Sequence, residues 1–222
     1  MITRFLIVLN LIGYLWEIAV AGPGMLTPFG AGNIERVLVD GALIPAAVLQ
    51  YGQWWRILTG AFLHSGLVHI GVNMMSLWFL GRFIEYALGS WRTLLVYMVS
   101  LVVSGLGVVY FSSDPMIPTV GASGAIFGLF GALFAIGLKL GKPGMELVRA
   151  NIGILVLNLV ITFTVPAISW QAHVAGLLAG FVLTFAIYAP PRRIAPVVVD
   201  GNTGRELETE YQTPNDPPHR VQ

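Results

Sequence analysis

Cysteine is missing from all 222 residues. That excludes disulfide frameworks, thiol nucleophiles and thiolate metal sites, and it leaves the redox compartment unread. Charge is scarce as well: 10% of residues are Asp, Glu, Lys or Arg, against roughly 25% in an average globular chain. A net charge of +1 offers no basic surface for nucleic acid. No internal repeat breaks up the chain. What fills it is apolar, at 56% hydrophobic residues. The runs are too long and too many for one water-soluble core, since a bilayer span takes about 20 mostly apolar residues. The expected fold class is an all-α polytopic membrane protein.

Six spans are predicted, at about 5–21, 61–87, 94–111, 123–140, 150–166 and 171–188. The first, with Arg4 ahead of it and Ala19-Val20-Ala21 before Gly22, imitates a cleaved secretory signal. Its length and Trp16 favour a retained span. Lys and Arg in the short loops set the orientation. With the N-terminus in the cytoplasm, that side receives Arg4, Arg82, Arg92, Lys139, Lys142, Arg149, Arg192 and Arg193. The opposite side receives Arg36 and Arg56. Eight against two predicts both termini inside. The loop 22–59, with Pro23, Pro28, Pro45 and Trp54-Trp55-Arg56, is read as partly helical and lying in the outer interface, where indole and guanidinium groups settle. Pro190-Pro191-Arg192-Arg193 ends the last span. The chain therefore divides into a core, 1–189, and a polar tail, 190–222, of disordered composition.

Within the spans, polar groups are costly and are functional by default. His69 and Asn73 lie near the start of the second span, Ser123 at the start of the fourth and His173 near the start of the sixth. All three spans run from outside to inside, so these residues share one depth. His64 is read as an interfacial group. His69 and Asn73 are four apart and share a helix face. Gly124, Gly128 and Ala132 form a row on the fourth span, and Ala172, Gly176 and Gly180 form one on the sixth. Small residues at this interval let two helix backbones approach closely in lipid. A dimerisation stripe is the other reading of each row. Contact between the fourth and sixth spans would bring the His173 imidazole to the Ser123 hydroxyl.

The chemistry would be nucleophilic, since a serine hydroxyl needs a base to take its proton and a neutral His suits that role. No orienting acid is evident: Glu17 lies on the first span, Asp114 in a loop and Glu85 at the cytoplasmic end of the second. The expectation is a Ser–His dyad, with His69, Asn73 and the Ser123 N–H as oxyanion donors. The G-x-S-x-G elbow of soluble α/β-hydrolases does not apply, because Ala125 stands in the fifth position and no strand precedes the serine.

Together these residues resemble the rhomboid family of intramembrane serine proteases. Gly121-Ala122-Ser123-Gly124 is similar to the family's G-x-S-G motif and His69-Ile70-Gly71-Val72-Asn73 to its H-x-x-x-N element. Ala172-His173-Val174-Ala175-Gly176 is similar to its A-H-x-x-G motif, and Trp55-Arg56 to its loop signature. The resemblance covers residues 4 to about 188 and implies a six-helix rhomboid-like bundle. It implies hydrolysis of a peptide bond in or near the transmembrane segment of another membrane protein, without a cofactor. Ser123 would attack and His173 would act as base and then acid, with His69 and Asn73 in the oxyanion hole. Phe127 takes the place of an aromatic that stacks on the base; Tyr is common there, so a hydroxyl is lost. The partners would be transmembrane substrates and the bilayer, in a cell membrane with the site toward the non-cytoplasmic side. The segment 164–170 and the fifth span would form a movable cap or lateral gate. Two other classes stay open: a catalytically silent relative that binds membrane clients, and a small transporter or channel using the same polar groups.

Overall fold

The computed structural model describes residues 1–164, 168–190, 198–199 and 206–207. The chain divides into two compact units, Met1–Ala189 and Pro190–Gln222. In the first, α1 (Ile2–Ala21) is followed by three short helices, α2 (Ile34–Gly41), α3 (Pro45–Tyr51) and α4 (Arg56–Gly60). Next come α5 (Leu67–Ser76), a π-helical turn (Leu77–Gly81) and α6 (Arg82–Leu88), which run on as one rod. The long helices α7 (Ser90–Phe111), α8 (Ser123–Leu140), α9 (Lys142–Thr164) and α10 (Trp170–Ile187) complete the unit. Among the described residues of the second unit, β1 (Val198–Val199) pairs antiparallel with β2 (Glu206–Leu207). The expectation of a disordered tail otherwise lies outside the described residues, as does the end of the fifth span around Pro166.

Five helices among the described residues are long and apolar enough to cross a membrane: α1, the α5–α6 rod, α7, α8 and α10. The second span begins at Leu67 rather than near 61, because residues before Gly66 form a turn beneath α1. The third and fifth helices begin earlier than expected, at Ser90 and Lys142. Charged residues sit there at helix ends, which a hydropathy reading trims away.

Helix α8 is the central rod. Its span is 72% buried, whereas those of α1 and α10 are 28% buried. The burial follows from its glycines. A Cβ on Gly176 would lie 2.0 Å from the Gly124 carbonyl oxygen, and one on Gly180 would lie 1.9 Å from that of Gly128. The two rows expected to touch do so backbone against backbone. On another face of α8, a Cβ on Gly124 or Gly128 would strike the hydroxyls of Ser104 or Ser100 of α7. In lipid, where apolar surface gains little by leaving the solvent, this packing and the dispersion contacts it permits hold helices together.

Polar contacts fix the ends. Lys139 Nζ donates to the Tyr188 carbonyl at 2.6 Å, tying α8 to the end of α10. Glu85 accepts the Ile2 and Thr3 N–H groups at 2.7 and 3.1 Å, and also the hydroxyls of Thr3 and Ser90. A carboxylate from the second span thus caps the start of α1, where unpaired N–H groups and the helix dipole favour an anion.

Arg56 differs from expectation. Trp54 and Trp55 are about half exposed, but the Arg56 guanidinium is buried. It donates to the carbonyls of Ala42 and Val39 at 2.8 and 2.7 Å and to Gln53 Oε1 at 2.5 Å. The five-donor guanidinium serves main-chain carbonyls within the 22–59 segment rather than reaching out from the protein surface.

Gly180→Val should lower the thermal unfolding midpoint in detergent, at a cost of about 1–3 kcal/mol or more for overpacking. Gly153→Val, where a Cβ would meet open space, is the matched control. Equal midpoints for the two variants would reject the backbone contact.

Candidate active site

Ser123 is the first residue of α8, where the leading N–H groups have no carbonyl to bond within the helix. The loop ahead of it is held from outside. Leu43 and Thr119 exchange main-chain hydrogen bonds at 3.0 and 2.8 Å, and the Gly121 N–H donates to the Gly60 carbonyl at 2.9 Å. Gly121 itself has φ +120, a conformation that side chains rarely adopt. A Cβ added there would lie 2.7 Å from His69 Nε2 and 3.8 Å from Ser123 Oγ. The missing side chain is what leaves room for the His69 ring against Gly121, two residues before the serine.

His173 lies in the first turn of α10, behind Ser169, whose hydroxyl caps the helix by accepting the Ala172 N–H. Its Nε2 is 2.7 Å from Ser123 Oγ. Phe127, one turn into α8, stacks on the imidazole with centroids 4.1 Å apart and planes 10° from parallel. The pairing needs no hydroxyl on that ring. The other ring nitrogen, Nδ1, is 2.7 Å from Thr162 Oγ1 on α9. Thr162 was not among the expected residues.

His69 sits in the first turn of α5. Its Nδ1 accepts the Ser65 main-chain N–H at 3.3 Å and lies 3.1 Å from the Ser65 hydroxyl. An amide N–H can only donate, so Nδ1 holds the lone pair and the neutral ring carries its proton on Nε2. That nitrogen lies against Gly121, two residues before the serine. Asn73, also buried, donates from Nδ2 to the His69 carbonyl at 2.9 Å, one turn further along the same face. The structure therefore brings Ser123, His173, His69, Gly121 and Phe127 together. Asn73 stands directly behind His69, Gly124 and Gly176 supply the helix contact beneath, and Trp55 and Arg56 belong to the loop.

His64 is a correction. It is 1% exposed rather than interfacial. Its N–H donates to Glu17 Oε1 at 2.6 Å, and its ring meets that of His69 edge-on with centroids 5.1 Å apart. The turn before α5 is thereby anchored to a buried carboxylate of α1. Ser65 and Thr162 were missed for one reason: each is a small hydroxyl residue next to more conspicuous groups. Asn158 and Thr162, four apart in an apolar helix, carried the same signal of costly polar groups that marked His69 and Asn73. Among the described residues no cluster of His, Asp and Glu is arranged to hold a metal ion.

Chemically, a hydroxyl in short contact with an imidazole nitrogen, beside an N–H donor and a helix N-terminus, has the parts of a nucleophile, a base and an anion site. Comparison with known proteins points the same way. Residues 51–190 match the family model of the Rhomboid domain. The chain is 36% identical over 162 residues to rhomboid protease GluP of Bacillus subtilis strain 168, covering 72% of this chain and 31% of that protein. It is 35% identical over 139 residues to rhomboid protease GlpG of Yersinia pestis strain Pestoides F, covering 61% of this chain and 49% of that protein. It is 32% identical over 174 residues to RHOMBOID-like protein 5 of Arabidopsis thaliana, covering 77% of this chain and 53% of that protein. The chain spans about a third to about half of the length of these relatives.

A fluorophosphonate probe should label the protein at Ser123. Labelling should be absent in Ser123→Ala and slower by about 10³-fold or more in His173→Ala. Peptide mapping of the adduct to a different serine would move the site.

Proposed function

The chain belongs to the rhomboid family and is a multi-pass integral membrane protein, and from that premise we propose that it is an intramembrane serine endopeptidase. The observation that carries the reading is the 2.7 Å contact between Ser123 Oγ and His173 Nε2, made by two residues 50 positions apart on separate membrane helices. In this reading His173 takes the Ser123 proton as Oγ attacks the scissile carbonyl. The ring then returns the proton to the leaving amine. His69 Nε2–H and the Ser123 N–H stabilise the oxyanion, and Asn73 supports His69 and adds a donor. Gly121 keeps the approach open, and the loop with Trp55 and Arg56 holds the chain that packs beside it. No cofactor enters this mechanism.

The proposed topology has six spans, with α9 as the fifth in number, and both termini cytoplasmic, following the Lys and Arg bias. The site then lies under the outer headgroups, where water can reach it. Substrates would be other membrane proteins, cut in or near a span. A cavity of ≈ 320 Å³ between Phe79, Phe83, Phe130, Leu133 and Leu147 leaves α9 incompletely packed against the second span, which supports α9 as the movable side. The cap expected at 164–170 involves residues 165–167, outside the described ones, and stays with the proposal.

The test is incubation of the purified protein in vesicles with a panel of single-span substrates, followed by mass spectrometry of the fragments. Wild type should cleave at a defined bond and Ser123→Ala should not. His69→Ala should be slower by about 10²–10³-fold, and Asn73→Ala by less. Binding of the panel without any cleavage would favour a silent client-binding relative, and solute flux without cleavage a transporter. Either result would reject the protease reading.

A further inference from the structure

A neutral imidazole carries one proton on one of two nitrogens. Only an unprotonated Nε2 can accept from Ser123, so the tautomer of His173 decides whether the ring can take the serine proton or instead donates its own to the hydroxyl oxygen. Stacking on Phe127 fixes the plane of the ring but leaves that choice open. The neighbour at Nδ1 makes it.

Thr162 Oγ1 lies 2.7 Å from His173 Nδ1 and 2.6 Å from the main-chain carbonyl of Asn158, one turn back in α9. The hydroxyl has a single hydrogen, and a carbonyl oxygen can only accept. At 2.6 Å the hydrogen must lie between the two oxygens, because turning it toward His173 would set lone pair against lone pair. Such bonding of Thr to the carbonyl four residues earlier is common in helices. With its hydrogen committed, Oγ1 offers only lone pairs to Nδ1, so the ring proton sits on Nδ1 and is donated to Thr162. Both side chains are buried, at 3% and 6% exposed, which keeps competing water away. We infer that Thr162 is a positioning residue that holds His173 as the Nδ1–H tautomer, leaving the Nε2 lone pair aimed at Ser123 Oγ.

Thr162 thus does, without charge, what a carboxylate does for the histidine of a soluble serine triad. When His173 becomes an imidazolium, the same Nδ1–H bond persists and strengthens, as charge-assisted bonds do. The serine, the base and the positioning hydroxyl come from α8, α10 and α9. Because α9 packs on α8 and only lightly on α10, a movement of α9 by about 1 Å would take this bond past hydrogen-bonding length and release the ring.

The catalytic consequence rests on the protease reading; the tautomer does not. The test uses full-length protein with ¹⁵N-labelled histidine, since the two tautomers give distinct ¹⁵N shifts, and His173 is assigned by its loss in His173→Ala. Wild type and Thr162→Ser should show the Nδ1–H pattern, and Thr162→Val should lose it. On a cleavable substrate, Thr162→Val should lower kcat about three- to tenfold with KM within about twofold, and Thr162→Ser should restore it, as expected for one neutral hydrogen bond. A wild-type ring protonated on Nε2 would overturn the assignment even if the valine variant fails to fold. So would a folded valine variant with unchanged shifts and kcat. Should the wild type cleave nothing yet show the Nδ1–H pattern and its loss in Thr162→Val, the protease reading alone falls and the assignment stands.

Discussion

The contact between α8 and α10 is the constraint on which the rest of the molecule depends. Two main chains meet where a Cβ on Gly176 or Gly180 would fall about 2 Å from a carbonyl of Gly124 or Gly128. Only side-chain-free positions on both partners allow that separation. Ser123 immediately precedes Gly124, and His173 is three residues before Gly176. The glycine contact therefore also sets the distance between hydroxyl and imidazole. A helix pair separated by leucines, at the usual 8–10 Å between axes, would hold the same two side chains too far apart for a 2.7 Å bond. Packing and chemistry here are one geometric fact: the helix contact that stabilises the bundle without help from the hydrophobic effect also assembles the polar pair.

Around that pair, hydrogen-bond direction is set by groups that have no choice. A main-chain N–H at Ser65 makes Nδ1 of His69 an acceptor and so turns its Nε2 into a donor. A main-chain carbonyl at Asn158 makes the Thr162 hydroxyl a donor, leaving it to accept from Nδ1 of His173 and freeing that Nε2 to accept. Two histidines near one serine acquire opposite hydrogen-bonding directions through backbone groups whose polarity cannot change. In a low-dielectric setting, where an unpaired polar atom is costly, such one-way partners are a robust means of fixing a tautomer.

Much of this was legible in the sequence because lipid makes polar residues conspicuous. Ser123, His173, His69 and Asn73 stood out against apolar runs, and the small-residue rows offered a contact between the fourth and sixth spans beside a dimerisation stripe, a choice the glycine contacts decide for the first. The boundaries were less legible: hydropathy trims charged helix ends, hence Lys142 rather than a start near 150 for α9. Arg56 and His64 were misread because composition describes the preferences of a side chain and not its neighbours. An arginine in a proline-rich loop can snorkel or can bind carbonyls, and only the fold around Val39 and Ala42 decides. Thr162 was overlooked for a subtler reason. A membrane threonine bonding its own helix is so ordinary that its polar signal is passed over, and here that ordinary bond is the one that sets the direction of the next.

The absence of an orienting acid from the sequence reading then acquires a physical sense. Glu17 is fully buried, yet it is used to anchor the His64 turn through a main-chain N–H and not to orient His173. A carboxylate beside His173 would need further donors to offset its desolvation, as Glu85 has in four N–H and O–H groups at a helix start. Among the described residues, the side chains that contact the His173 ring are an aromatic ring, a threonine and the serine itself. A hydroxyl needs only two partners, and Thr162 finds one in its own helix and the other in the ring. Within a hydrocarbon-walled site, a neutral residue can supply direction without the cost of a buried charge. The bond that supplies it ends on α9 and not on the α8–α10 pair.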